Sequence, residues 1–190
     1  MTVPEANFLI VDLGEDRTIQ LGDSVQLEAL NTLQPFEDNV YEIFWDPIDA
    51  SINCDTCVQV YVSPINTTQY TATIVDTTGC SASDDITITV IKERPIYIPT
   101  AFSPNNDGQN DFFGIYGGPG VKRVQDFYIY DRWGELMFEG HNFQPGQPGY
   151  EWGGTLKGKE LNPAVFVYYA LIEFEDGNVI EYVGDVTLLR

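Results

Sequence analysis

Residues 67–90 read "TTQYTATIVDTTGCSASDDITITV". Two β-branched, alternating runs, Tyr70–Val75 and Ile86–Ile91, flank the turn signal "DTTG" at 76–79. Period-two alternation sends successive side chains to opposite faces of a strand, and Val, Ile, Thr and Tyr suit a pleated surface. The stretch is therefore strand, turn, strand. The same grammar runs back toward the start, with strands expected at Phe8–Val11, Val25–Leu30, Val40–Trp45 and Val58–Val62. Turn signals separate them: "LGD" at 21–23, "QPFEDN" at 34–39, "DPIDASIN" at 46–53 and "SPINTT" at 63–68. No segment carries a sustained helical period with caps. Regular short strands with such turns predict a β-sandwich.

The grammar continues beyond "KERP" at 92–95, where Pro95 and three charged residues mark a linker. Strands are expected at Ile96–Ile98, Asp126–Tyr130, Glu135–Phe138, Val165–Phe174, Val179–Val183 and Val186–Leu189. "DRWG" at 131–134 and "EDGN" at 175–178 read as hairpin turns, the second with an Asp-Gly pair suited to positive φ. Residues 139–164 are rich in Gly and Pro and predict an ordered irregular loop anchored by Phe143, Tyr150 and Trp152. The fold class is all-β: two tandem β-sandwich domains, 1–92 and 93–190.

Composition bounds the function. The 190 residues are 43% hydrophobic and 13% aromatic, enough to build a core in each half. The net charge of −20 argues against nucleic acid, whose phosphates need clustered Lys and Arg, and against docking on anionic lipid. It suits cations and a soluble, secreted surface. Residues 1–92 carry 15 acidic and 2 basic residues; residues 93–190 carry 14 and 7. No apolar run reaches membrane-spanning length, so no membrane insertion is expected. "MTVPEANFLI" at the start lacks the basic and apolar regions of a signal peptide. Asn66-Thr67-Thr68 matches a glycosylation sequon, which a bacterial source would make uninformative.

Three cysteines, Cys54, Cys57 and Cys80, cannot all pair within the chain. The CxxC spacing of the first two lacks the second CxxC or nearby His of a zinc site and the βαβ context of a redox catalyst. A structural Cys54–Cys57 disulfide is the preferred reading, with a bridge from Cys80 to either as the alternative.

"PTAFSPNNDGQNDFF" at 99–113 packs three Asn, two Asp, two Pro and one Gly into one run. Pro104 fixes φ, Asn105 and Asn106 favour Asx turns, and Gly108 permits positive φ. The run also offers candidate calcium ligands: Asn105, Asp107 and Asp111 with a main-chain carbonyl near Gln109. The EF-hand pattern is not met, since Ser103 replaces its first Asp and Gly114 its bidentate Glu. The competing reading is a turn stapled by its own Asx side chains.

No enzyme is expected. His141, the single histidine, has no Ser or Cys nucleophile at a recognisable spacing. Asp84 and Asp85 are adjacent on a strand and face opposite sides, so they cannot act as an acid–base pair. No GxGxxG, Walker loop or HExxH occurs.

Two resemblances sharpen this reading. "WDP", "CDTC" and "SPINTTQYTATIVDTTGCSASDDITITV", within residues 8–91, resemble the PKD-type Ig-like modules of bacterial surface proteins. Such modules imply a spacer or stalk. "YIPTAFSPNNDGQNDFF", "FYIYDRWGELMFE", "WGGTLKGKELNPAVFVYYALIEFEDG" and a terminal "GDVTLLR", in that order over 96–190, resemble the gliding-motility-associated C-terminal domain, the type B sorting domain of type IX secretion. That resemblance implies a folded β-sandwich signal at the end of a large secreted protein. It implies type IX secretion components and a dedicated outer-membrane protein as partners, and export through the periplasm to the cell surface or medium. Three positions depart from the family: Asn106 where Gly is usual, Gly153 where Asp is usual, and Ala164 where Gly is common.

The expected contacts with transport partners are the 102–111 loop and the Asp131–Gly134 turn, through Phe102, Asn106, Asp131, Arg132 and Trp133. Trp133 is expected to be a half-buried turn anchor and Arg132 to pair with a local carboxylate. The competing class is an extracellular adhesion or glycan-binding module that uses calcium.

Overall fold

The computed structural model describes residues 9–29, 40–48, 51–77 and 79–190. Phe8, Leu30, the "QPFEDN" turn, residues 49–50 and Thr78 lie outside the described residues. The chain divides into two compact units, Met1–Ile91 and Lys92–Arg190. Regular structure among the described residues is all strand.

The first unit contains β1 (Arg17–Gln20), β2 (Val25–Glu28), β3 (Val40–Asp46), β4 (Gln59–Val62), β5 (Thr68–Asp76) and β6 (Ser81–Ile91). One sheet has the order β1-β6-β5-β3, and β2 pairs with β4 in a second. Alternation builds the core between them. β5 buries Tyr70, Ala72 and Ile74, β6 buries Ile86 and Ile88, β3 buries Ile43 and Trp45, and the β2–β4 ribbon adds Leu27, Val60 and Val62. The two large amphipathic rings keep their polar ends satisfied. Trp45 Nε1–H donates to the Cys57 carbonyl at 2.8 Å, and the Tyr70 hydroxyl bonds Ser51 Oγ at 2.5 Å. The structure joins Cys54 to Cys57 in a disulfide with a Cα–Cα distance of 5.7 Å. Cys80 is exposed beyond the β5–β6 turn.

Two elements here differ from the sequence reading. The described part of the expected strand at Phe8–Val11 is not a strand. The chain just beyond it is tied to β6 by side chains: Asp84 Oδ2 accepts the Leu13 N–H and Asp16 Oδ1 accepts the Thr87 N–H, both at 2.8 Å, while Val11 and Leu13 are buried. The first strand is Arg17–Gln20, paired parallel to β6 from Arg17↔Ile88 to Gln20↔Ile91. Its polar text "RTIQ" carries no alternation signal, and pairing to a sheet edge supplies what propensity does not. Several of this unit's acidic residues are thus backbone acceptors at turns and crossings; Asp12, Asp23 and Asp76 also accept nearby N–H groups.

The second unit contains β7 (Ile96–Tyr97), β8 (Ala101–Phe102), β9 (Tyr116–Gly117), β10 (Val121–Tyr130), β11 (Leu136–Phe143), β12 (Thr155–Leu156), β13 (Lys159–Glu160), β14 (Ala164–Phe174) and β15 (Val179–Leu188). Five of them form one sheet, β11-β10-β14-β15-β8, in which β8 joins parallel to the end of β15. The ribbons β7–β9 and β12–β13 and their loops form the second layer. Phe113 and Trp152 link that layer to the sheet. They exchange backbone hydrogen bonds at 2.9 and 2.8 Å. Phe113 packs on Phe102, Phe127 and Tyr168 with ring centroids 5.6–5.9 Å apart, and Trp152 packs on Phe102 and Phe166 at 5.4 and 4.8 Å. Trp152 Nε1–H donates to the Thr155 carbonyl at 2.9 Å.

The loop expected over 139–164 is partly regular. β11 runs on through "EGHNF" to Phe143, because Phe143 is buried against Phe127 and stacked on Tyr150. Gly140 leaves room there: a Cβ would stand 3.1 Å from the Phe143 ring. β12 and β13 form a two-residue ribbon turned by Lys157 and Gly158, both at positive φ. The strands expected at Val179–Val183 and Val186–Leu189 are one strand. Gly184 lies opposite Tyr168, and a Cβ on it would come within 2.6 Å of the Tyr168 hydroxyl oxygen. Glycine here serves a close approach of ring to backbone rather than a break. Ala164 is not among the positive-φ residues, so it stands in for glycine without strain.

Candidate functional site

The 102–111 loop holds itself together. Asp111 Oδ1 accepts the Asn106 N–H at 2.6 Å and Oδ2 accepts the Gly108 N–H at 2.8 Å. Asn105 Oδ1 accepts the Asp107 N–H at 3.0 Å, and Asp107 Oδ1 accepts the Gln109 N–H at 2.8 Å. Asn105 Nδ2–H donates to Asp107 Oδ2 at 2.9 Å, and the Ser103 N–H donates to the Asn110 carbonyl at 2.8 Å. The Asn105 side chain, then the Gln109 amide, hold the Asp107 carboxyl below its ordinary pKa. Asn106, Gly108 and Asn110 have φ of 62°, 83° and 53°. Gly visits that region freely, and Asn or Asp at lower cost than other residues, which accounts for the run "NNDGQND". Asn106 adopts the conformation for which glycine is the usual residue.

Of the candidate calcium ligands, Asp107 and Asp111 therefore spend oxygens on backbone N–H groups. Among the described residues no group of three or more His, Cys, Asp or Glu is placed to hold a metal.

The expected partner contacts divide. Phe102 is 2% exposed and lies in the aromatic core, so it holds the fold and offers nothing to a partner. Asp131 organises the β10–β11 turn. Its Oδ1 accepts the Trp133 and Glu135 N–H groups, both at 2.8 Å, and Gly134 closes the turn at φ 83°. Trp133 is 83% exposed, not half-buried. Arg132 lies over its ring at 5.5 Å, and among the described residues it pairs with no carboxylate. The tight stapled turn leaves no wall for the indole to lean on, so the ring is held out in water with a cation on its face.

Two further surfaces were not legible in the sequence. On the solvent face of the sheet, Tyr128 packs beside Tyr130, His141 and Tyr169 at 5.4–6.4 Å, and His141 Nδ1 bonds Asp126 Oδ1 at 2.8 Å. Alternation through Phe127–Tyr130 put the tyrosines on this face; their gathering across three strands depends on register. Beside the 102–111 loop a cleft of about 520 Å³ is lined by Tyr97, Phe112, Tyr116, Asp111 and Glu151, among others.

Charged pairs fasten the rest. Glu173, 8% exposed, receives Lys122 at 2.8 Å, Arg123 at 2.7 Å and Gln125 at 2.8 Å. Lys122, Gln125 and Arg123, in that order of effect, hold its carboxyl at a pKa of about 2. Arg190 ties the last strand to the β12–β13 ribbon, donating to the Leu161 carbonyl at 2.8 Å and to Glu160 at 2.6 Å.

Residues 96–188 match the family model of the CHU_C Type IX secretion signal domain. The second unit belongs to this family. No curated protein matches the chain. Among solved structures, the PKD domain from the KIAA 1837 protein is 18% identical and has a TM-score of 0.36, over 44% of this chain and 86% of that one. A tetra-tandem repeat in the extending region of a large adhesion protein is 12% identical with a TM-score of 0.36, over 96% of this chain and 50% of that one. PorU from Porphyromonas gingivalis, in its dimeric latent form, is 13% identical with a TM-score of 0.33. It is matched over 97% of this chain, which spans 19% of its length. The family assignment of the second unit rests on the sequence match. A type IX secretion signal domain serves sorting, and implies export across the outer membrane to the surface or medium.

Proposed function

We propose that the CHU_C domain acts as a folded sorting signal for a larger cargo, docking on type IX components and a dedicated outer-membrane protein. The first unit is a PKD-like spacer, with the domain limits at 1–92 and 93–190. The observation that carries this reading is the family match over 96–188. The geometry supports recognition of a shape rather than of a linear peptide. Phe102, Phe113 and Trp152 make a rigid aromatic core, and two stapled loops present Asn106 and Trp133 at fixed positions. Asp131 and Arg132 then act by posing Trp133, and Asn106 is the exposed contact of the 102–111 loop.

The test is secretion of a reporter fused ahead of the whole chain in a host with type IX secretion. Trp133→Ala is expected to lower surface or medium reporter severalfold with the melting temperature unchanged. Normal export of that variant removes Trp133 from the docking surface.

A further inference from the structure

The cleft beside the 102–111 loop has two properties that the fold does not need. Its aromatics are exposed, Tyr97 at 65%, Phe112 at 53% and Tyr116 at 37%, whereas the adjacent Phe113 takes the core position. Its charges are all negative: Asp111 and Glu151 line it, and no Lys, Arg or His does. Both carboxylates are held in place. Asp111 is fixed by the Asn106 and Gly108 amides, and Glu151 Oε1 accepts the Tyr116 hydroxyl at 3.2 Å. Burial, then Glu151, raise the pKa of the Tyr116 hydroxyl, so it stays a protonated donor. Phe112 lies along Gly153, where a Cβ would stand 3.3 Å from its ring. The volume of about 520 Å³ falls within the roughly 300–1,000 Å³ of ligand clefts.

The chemistry that fits is a planar cation. Tyr97 and Tyr116 pack on each other, with centroids 6.1 Å apart and planes tilted by 36°, so a ligand meets their exposed faces from outside the pair rather than between them. A guanidinium stacks on aromatic faces and presents a fork of donors to carboxylates; an ammonium is a hydrated point charge that does neither as well. We propose that this cleft receives an arginine side chain presented by a protein partner. The proposal rests on the reading of the second unit as a folded signal, and gives the chemistry of one of its contacts.

The test is an NMR titration of the 190-residue chain with the peptide acetyl-Gly-Ala-Arg-Ala-Gly-amide. Parallel titrations use the same peptide with lysine, or with the neutral isostere citrulline, in place of arginine, and a β-glucan hexasaccharide. The arginine peptide is expected to shift Tyr97, Phe112 and Tyr116 at millimolar concentration. Citrulline is expected to weaken binding about 10-fold or more, lysine by less, and Glu151→Gln several-fold. Absence of shifts at these residues overturns the proposal. So does equal binding of the citrulline or lysine peptide, or a response to the hexasaccharide alone.

Reporter export separates this idea from the one beneath it. Export by the wild-type chain that is unaltered in Tyr97→Ala/Glu151→Gln overturns the cleft as a docking point and leaves the sorting signal standing. No export of the wild-type fusion overturns the sorting signal, and the titration then decides the cleft alone.

Discussion

Asp111→Ala separates the two readings of the "NNDGQND" loop. The substitution removes acceptors for two backbone donors, the Asn106 N–H at 2.6 Å and the Gly108 N–H at 2.8 Å. Hydrogen bonds to a charged group contribute about 1.5–3 kcal/mol each in protected settings. This loop is exposed, so water takes over much of the duty, and about 1–2 kcal/mol in total is the reasonable loss. For a unit of roughly 100 residues, 1 kcal/mol moves the melting temperature by about 4–8 °C, so the expected fall is about 4–16 °C. The assay follows the Trp152 indole N–H resonance, which reports the second unit through its bond to Thr155. It is run in calcium and in chelator. Asp111→Asn keeps one acceptor oxygen and should fall between. A self-stapled turn predicts the same loss in both buffers. A loss seen only in calcium, or a change below about 1 °C in both, refutes the stapling argument.

Other expectations are independent of that loop. Trp152→Ala deletes a buried ring packed on Phe102 and Phe166 and orphans the Thr155 carbonyl; about 3–5 kcal/mol of the second unit's stability should go, measured by denaturant unfolding. Glu173 has its folded pKa lowered from 4.5 to about 2. Its contribution is therefore present above pH 4.5 and is lost as pH falls through about 2. Glu173→Gln should lower the melting temperature at pH 6, with the gap to wild type narrowing on acidification toward pH 2; a gap that widens contradicts the assignment. Gly184→Val should disrupt β15 by driving Tyr168 off the strand, whereas Tyr168→Ala in the same chain should relieve the clash and restore folding in part.

The sequence shows the elements whose pattern is local. β5, β14 and the turns at 131–134 and 175–178 follow from alternation and turn chemistry. What it hides depends on partners distant in the chain. "RTIQ" is a strand because β6 offers an edge, and "SASDD" extends β6 because it faces β5 from Val75↔Ser81 to Thr71↔Asp85. "VKRV" extends β10 because Val121 and Val124 reach the core while Lys122 and Arg123 find Glu173. Gly184 looks like a break and is a contact. The site divides the same way. The stapled loop is readable from its Asx residues, but not that Phe102 goes inward and Trp133 outward. In "DFF", nothing in the text separates Phe112 at the cleft from Phe113 in the core. The cleft itself joins Tyr97, Tyr116 and Glu151 across more than fifty residues.

A CHU_C unit that is a folded sorting signal should suffice for secretion on its own. The direct measurement fuses residues 93–190 behind a periplasmic leader and a fluorescent reporter. The host has type IX secretion, with and without a coexpressed cognate outer-membrane protein. Reporter is expected at the surface or in the medium, and is abolished when the secretion machinery is deleted. A folded fusion that stays in the periplasm under both conditions contradicts it.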